Sequence, residues 1–192
     1  MATKDSAVNA TPGANPNAAG NDGTPPAQSG ATGMLKWLWL SFVVIVLDQI
    51  TKWVVVFQLE YGEVVSVFPT FNLTHVYNPG AAWSFLANAG GWQRWFFTAV
   101  AAGVSVMLVM WLRKIPRHDW WMALALALIL GGALGNLIDR VALGHVIDFL
   151  DFYWPPSDSW SASHFPAFNI ADCGITVGAA MLIIDMIRNP NK

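Results

Sequence analysis

Gly131–Arg140 reads GGALGNLIDR, Val146–Phe149 reads VIDF, and Phe168–Asp172 reads FNIAD. An apolar run ends in a polar cluster, a loop follows, and a second apolar run opens with another polar cluster. Asp139, Asp148 and Asp172 therefore fall where hydrocarbon-like segments give way to water. Ionisable groups at such a boundary are costly in free energy and mark functional positions. The rest of the chain decides which face they occupy.

The chain has 192 residues, of which 55% are hydrophobic and 11% charged. A soluble domain carries about 25% charged residues, so this composition points to a membrane protein. A net charge of −2 and the lack of a basic patch exclude a nucleic-acid partner. The single cysteine, Cys173, has no partner for an intramolecular disulfide, and no Cys/His metal-ligand spacing occurs.

Residues 1–33 are Ala, Gly, Pro, Asn, Thr and Ser with few large apolar side chains. Such a segment buries too little surface to offset its ordering entropy, and a disordered tail is expected. It lacks the layout of a secretory leader, because the apolar run comes after it and has no small-residue cleavage site.

Four apolar runs are long enough to cross a bilayer. They are expected at about Leu35–Phe57, Trp95–Leu112, Trp120–Ile138 and Ile170–Ile187. The first contains Asp48, Gln49 and Lys52, and the i,i+4 spacing of Asp48 and Lys52 permits an ion pair or a polar cavity wall. Val64–Phe68 and Phe71–Tyr77 are β-branched and aromatic, and Asn78–Pro79–Gly80 is a turn signal. A small sheet on the membrane surface is expected there, ending at Ala81–Trp83, with Trp83 and Phe85 in the interface or over a site. Gly144–Phe168 reads as a second extramembrane loop.

Lys4, Lys36, Arg113, Lys114, Arg117, Arg188 and Lys192 fall on one side of these spans, and Arg94 and Arg140 on the other. Positive charge marks the cytoplasmic side. Both termini are thus expected in the cytoplasm, and the polar clusters at the extracytoplasmic boundary.

Each polar residue also admits a purely structural reading. Asp139 beside Arg140 suits an orienting ion pair. Asn169 suits a helix N-cap, with Asp172 near the positive helix end. Asn136 can bridge helices. Asp148, between Ile147 and Phe149, occupies an apolar setting that raises a carboxyl pKa, whereas Asp151 and Asp158 are expected to be solvated. Two aspartates in a poorly hydrated site share a proton, so that one activates water and the other protonates the substrate. That is aspartic peptidase chemistry, and it needs no metal or cofactor. No HExxH or GxSxG pattern exists among the histidines and serines, and Cys173 has no cationic neighbour in sequence. A small ion-relay transporter would string acids through the membrane depth, including the second span, which has none. A purely structural subunit would not require acid clusters on separate helices.

The blocks DQITK (Asp48–Lys52), VYNPGAAWS (Val76–Ser84), GGALGNLIDR, VIDF and FNIAD resemble, in order, those of bacterial lipoprotein signal peptidase, signal peptidase II. The resemblance spans about residues 35–188. It departs at Pro79, which sits between Asn78 and Gly80 where the family tolerates several residues, and at Trp83, where Phe is common. It implies an α-helical polytopic membrane protein: four transmembrane helices with a small extracytoplasmic β-sheet cradle. Residues 34–188 would form the peptidase domain, with loops at 58–92 and 141–168, followed by a short tail at 189–192. It further implies an inner-membrane aspartic endopeptidase that cleaves prolipoproteins before a diacylglyceryl-modified cysteine. Asp148 and Asp172 would be the catalytic pair. Asp48, Lys52, Asn78, Gly80, Asn136, Asp139, Arg140 and Asn169 would shape the site or hold the substrate. Membrane lipids would surround the enzyme, and globomycin would block it.

Overall fold

The structure, a computed structural model, describes residues 33–80, 91–154 and 164–190. The expectations for the N-terminal tail, Ala81–Trp83, Phe85, Asp158 and Lys192 lie outside the described residues. After a 3₁₀ turn at Leu35–Trp37 come α1 (Leu38–Gln58), β1 (Val64–Phe68), β2 (Phe71–Asn78), α2 (Trp92–Lys114), α3 (Trp120–Ala142), β3 (Val146–Phe152) and α4 (Ile170–Arg188). The four helices have 21, 23, 23 and 19 residues. At about 1.5 Å per residue each can cross a hydrocarbon core of about 30 Å, and each is apolar enough to do so. Their outward faces carry exposed Trp39, Phe42, Leu47, Val106, Ile183 and Met186, a surface suited to lipid. The chain is a multi-pass membrane protein. Its helices extend beyond the expected spans by up to a turn, because the interfacial residues Trp92–Arg94 and Asp139–Ala142 continue the helical hydrogen bonding.

α3 is the central helix and packs against the other three. Its buried face is built of small residues, Ala123, Ala125, Ala127, Gly131, Gly132, Ala133 and Gly135, which let backbones approach closely. A Cβ on Gly132 would run into the Ala171 carbonyl of α4. A Cβ on Gly131 would lie 2.7 Å from the Val44 side chain of α1. The end bearing Arg113, Lys114 and Arg188, here the basic end, is closed by Met34, Leu108, Leu112, Ile115, Ala123, Leu126 and Leu130. Gly33 and Met34 donate their N–H groups to the carbonyls of Ile115 and Leu112, each at 2.9 Å, satisfying acceptors that the end of α2 leaves open.

At the opposite end lies a three-stranded antiparallel sheet in the order β1-β2-β3. β1 is an exposed edge, while Val146–Phe149 of β3 are buried. The hairpin Phe68–Pro69–Thr70–Phe71 turns through Thr70 at φ 80, the one described non-glycine residue with positive φ.

β3 corrects the expectation of a loop throughout Gly144–Phe168. VIDFLDF does not alternate apolar and polar residues because, although at the edge of the sheet, it is buried, with α1 and α3 packed on it and β2 paired to it. Asp151 was expected in solvent but is buried. It accepts from Asn72 Nδ2 at 2.8 Å and bonds His164 Nδ1 at 2.7 Å. A buried carboxylate keeps such partners because leaving it bare is costly.

Candidate active site

β2, β3, α1, α3 and the start of α4 meet at the sheet end, and the structure brings all ten candidate residues together there. Asp148 projects from β3 opposite Val76. Asn78, at the end of β2, donates Nδ2 to Asp148 Oδ2 at 3.1 Å, and its own Oδ1 accepts the Gly80 N–H at 2.9 Å. That turn requires glycine: Gly80 has φ +106, and a Cβ there would strike the Phe97 ring.

α4 starts as the FNIAD pattern suggests. Asn169 is the N-cap and accepts the Asp172 N–H at 3.0 Å, while Asp172 Oδ2 accepts the Asn169 N–H at 3.3 Å. This reciprocal capping box satisfies two orphan helix donors. Asn169 also donates Nδ2 to Asp148 Oδ1 at 2.7 Å. Asn136 of α3 donates Nδ2 to Asp172 Oδ1 at 2.8 Å, so its expected role as a helix bridge is realised. Both carboxylates are thus held by amide donors from neighbouring asparagines.

Burial, and next the negative charge of Asp172, raise the Asp148 pKa to about 7, against the opposing hydrogen bonds from Asn78 and Asn169. Ile147 and Phe149, the apolar setting foreseen from the sequence, are both buried, but as strand neighbours they point to the face opposite Asp148, whose desolvation comes from its own burial in the fold. Near neutral pH the pair can therefore hold one proton. His145, on the loop leading to β3, lies below the usual imidazole range, chiefly through burial.

Beneath the carboxylates, Lys52 pairs with Asp48 Oδ2 at 2.7 Å and Asp139 Oδ2 at 2.8 Å. The i,i+4 pair is present, and it is buried. Asp139, however, does not pair with Arg140 among the described ion pairs. Adjacent helical residues point about 100° apart, which turns Asp139 toward α1 and Arg140 toward α2. Arg140 Nη1 donates to the Asn136 carbonyl at 3.3 Å, and its guanidinium lies 5.8 Å from the Phe97 ring centroid. Its Nε is buried with no partner among the described residues. Arg140 and Asn136 close one end of a groove of 240 Å³ lined by Phe97, Val100, Val104, Ala133 and Ile175.

Sequence reasoning left two contributors unassigned. Gln49 donates Nε2 to Asp139 Oδ1 at 2.8 Å; its place beside Asp48 inside an apolar run was the available signal. Arg94 donates to the carbonyls of Arg140 and Val141 at 2.7 and 2.8 Å, capping α3 where its dipole is negative. Being one of two cations on that side of the membrane could have marked it. Asp185, by contrast, is a buried acid at the basic end, bonded to Asn189 Nδ2 at 2.8 Å and far along α4 from this cluster.

A sequence model of signal peptidase (SPase) II matches residues 40–188. The lipoprotein signal peptidase of Shewanella woodyi is 55% identical over 153 residues, covering 80% of this chain and 84% of that protein. The lipoprotein signal peptidase of Pseudomonas fluorescens strain Pf0-1 is 52% identical over 165 residues, covering 85% and 94%. A bacterial membrane enzyme solved by the in meso method at 2.3 Å resolution superposes with a TM-score of 0.71 at 31% identity, covering 83% of this chain and 93% of that one. Helix number, sheet, polar cluster and sequence agree: this chain belongs to the signal peptidase II family of membrane peptidases.

Proposed function

We propose that the protein removes signal peptides from prolipoproteins by hydrolysis at an Asp148–Asp172 dyad. The observation that carries this reading is the joint fixing of the two carboxylates on Asn169, one of them holding a proton near neutral pH. Asp172, whose oxygens accept N–H donors, takes a proton from water as the water oxygen attacks the scissile carbonyl carbon. Asp148 gives its proton to the carbonyl oxygen. As the tetrahedral intermediate collapses and the C–N bond breaks, Asp172 passes its proton to the leaving amine and a hydroxyl of the intermediate returns a proton to Asp148. Water is thus divided between a new carboxyl and a new amine, and each aspartate ends ready for another cycle.

Arg140 lines the groove, and its guanidinium, whose Nε has no partner among the described residues, is suited to donate to a substrate backbone carbonyl, while Asn78 and Gly80 form the turn beside Asp148. The groove suits an apolar segment. The scissile bond lies beside a cysteine carrying diacylglycerol, and each buried methylene of that lipid contributes about 0.8 kcal/mol to holding it at membrane depth. The enzyme sits in the inner membrane with both termini in the cytoplasm and the dyad at the extracytoplasmic face. This orientation rests on the Lys and Arg excess near Arg113–Arg117 and Arg188. Globomycin is expected to compete for the dyad.

The test is cleavage of one lipobox peptide with and without the diacylglyceryl group, by the wild type and by Asp148→Asn and Asp172→Asn. Lipid-dependent cleavage lost in both variants is the expected result. Full activity in either variant refutes the dyad.

A further inference from the structure

Lys52 sits at the centre of an arrangement whose symmetry points to a positioning role. Its ammonium has three donors and three acceptors: Asp48 Oδ2 at 2.7 Å, Asp139 Oδ2 at 2.8 Å and Asn136 Oδ1 at 3.0 Å. Each acceptor then reaches a residue of the dyad or the residue immediately before it. Asp48 Oδ1 accepts the N–H of Ala171, which precedes Asp172, at 2.9 Å. Asp139 Oδ2 accepts the N–H of Ile147, which precedes Asp148, at 3.3 Å. Asn136 Nδ2 donates to Asp172 Oδ1 at 2.8 Å. Asp148 and Asp172 come from different elements, a strand and a helix start, with little chain geometry in common. One side chain spans both.

We propose that Lys52 is the hub of a three-armed clamp that sets the separation of the two catalytic carboxylates, with Asp48, Asp139 and Asn136 as its arms. The proposal rests on the dyad reading above and makes Lys52 a positioning residue, since its hydrogen bonds go to Asp48, Asp139 and Asn136 and it acts on the two acids through them. Lys52 is 1% exposed and Asp48 0%, so solvent cannot replace a lost arm. Gln49, donating to the other oxygen of Asp139, braces that carboxylate against rotation. A misplacement of about 1 Å between reacting groups costs on the order of 10²-fold in rate. Binding contacts made by the lipid and groove would be largely spared.

The arms differ in a way that a purely electrostatic or packing role does not share. Asp139 uses one oxygen, Oδ2, for both Lys52 and Ile147, whereas Asp48 uses one oxygen for each partner. Asparagine has a single oxygen. Asp139→Asn can therefore keep both Lys52 and Ile147 while giving up the Gln49 brace, whereas in Asp48→Asn the charged Lys52 claims the one oxygen and Ala171 is lost, although the two substitutions change charge equally.

Lys52→Met would leave two buried acids uncompensated and endanger folding, so the decisive comparison is between these two asparagine variants of the full-length protein. Two quantities are read: kcat and KM on the lipidated peptide, and the amide ¹H–¹⁵N shifts of Ile147 and Ala171 in selectively labelled protein in micelles. Expected for Asp139→Asn are an unmoved Ile147 amide and a fall in kcat smaller than that of Asp48→Asn. For Asp48→Asn, the Ala171 amide moves upfield and kcat falls about 10- to 100-fold at a KM within about 2-fold. Equal losses in the two variants, an unmoved Ala171 amide in Asp48→Asn, or a moved amide with wild-type kcat would each overturn the clamp. The amide shifts do not depend on which residues do the chemistry. If they behave as expected while Asp148→Asn still cleaves, the dyad assignment fails and the anchoring geometry stands.

Discussion

Asn169 donates its side-chain amide to Asp148 at 2.7 Å while its side-chain oxygen accepts the backbone N–H of Asp172 at 3.0 Å, so one residue orders both acids. The two tasks can be separated by substitution. Serine retains an N-cap oxygen but is too short and lacks the amide, whereas alanine loses both. Asn169→Ala should lower stability by about 1 kcal/mol through the lost cap and reduce kcat at least 100-fold. Asn169→Ser should recover most of the stability and little of the activity. Thermal unfolding in detergent beside peptide-cleavage kinetics would show whether the two effects part in this way.

The raised pKa of Asp148 has a consequence for stability. The carboxyl titrates at about 7 in the fold, against an ordinary value of 3.8. Folding therefore favours its protonated form. The stability it retains in full below about pH 4 is lost as pH rises through 7. The gap of about 3 units corresponds to at most about 4 kcal/mol, with the apparent pKa belonging to the pair. Asp148→Asn removes this titration, so its unfolding temperature should depend less on pH between 4 and 7 and exceed that of the wild type above pH 8. Parallel pH dependence in the two proteins would count against a buried, proton-sharing Asp148.

Close packing of α3 and α4 should prove as necessary to cleavage as the acids. Any Cβ on Gly132 meets the carbonyl of Ala171, one residue before Asp172. Gly132→Ala should cost about 1–3 kcal/mol through overpacking and abolish most activity by shifting the start of α4. Gly103 of α2 has nothing within 4 Å of the same position, so Gly103→Ala serves as a control and should leave cleavage unchanged.

Orientation can be checked without catalysis. With Cys173 replaced by Ala, cysteines placed at Ser66 in β1 and at Arg117 between α2 and α3 should label from opposite sides of the membrane. An impermeant maleimide added to cells with a permeabilised outer membrane should reach Ser66→Cys and leave Arg117→Cys unlabelled. The reverse pattern would invert the assignment made from basic residues.

Much of this architecture is legible in the chain because its signals are local. Apolar runs of about 20 residues declare spans, Asn169 with Asp172 three residues on declares a helix start, and Asp48 and Lys52 at a spacing of four declare a shared helical face. What escaped the sequence depends on long-range contact. β3 pairs with β2 across some 70 residues and is covered on both faces, so it shows neither alternation nor a hairpin turn. Asp151 looks like a loop acid until Asn72 and His164 come to it from distant segments. Adjacency in sequence suggested Arg140 as the partner of Asp139. Helical geometry instead sends the two side chains to different neighbours, and Lys52 of α1 takes the position.

The capping box also limits how this site can vary. Asp172 occupies the third position of α4, and each residue of a helix turns the side chain by about 100°. Moving the acid by one place would aim it away from Asn136 and Asp148 and also undo the start of the helix. No compensating change within α4 can repair both at once. The register between Asn169 and Asp172 is therefore fixed twice over, so an insertion or deletion between them should be lethal to cleavage even where every functional side chain is retained.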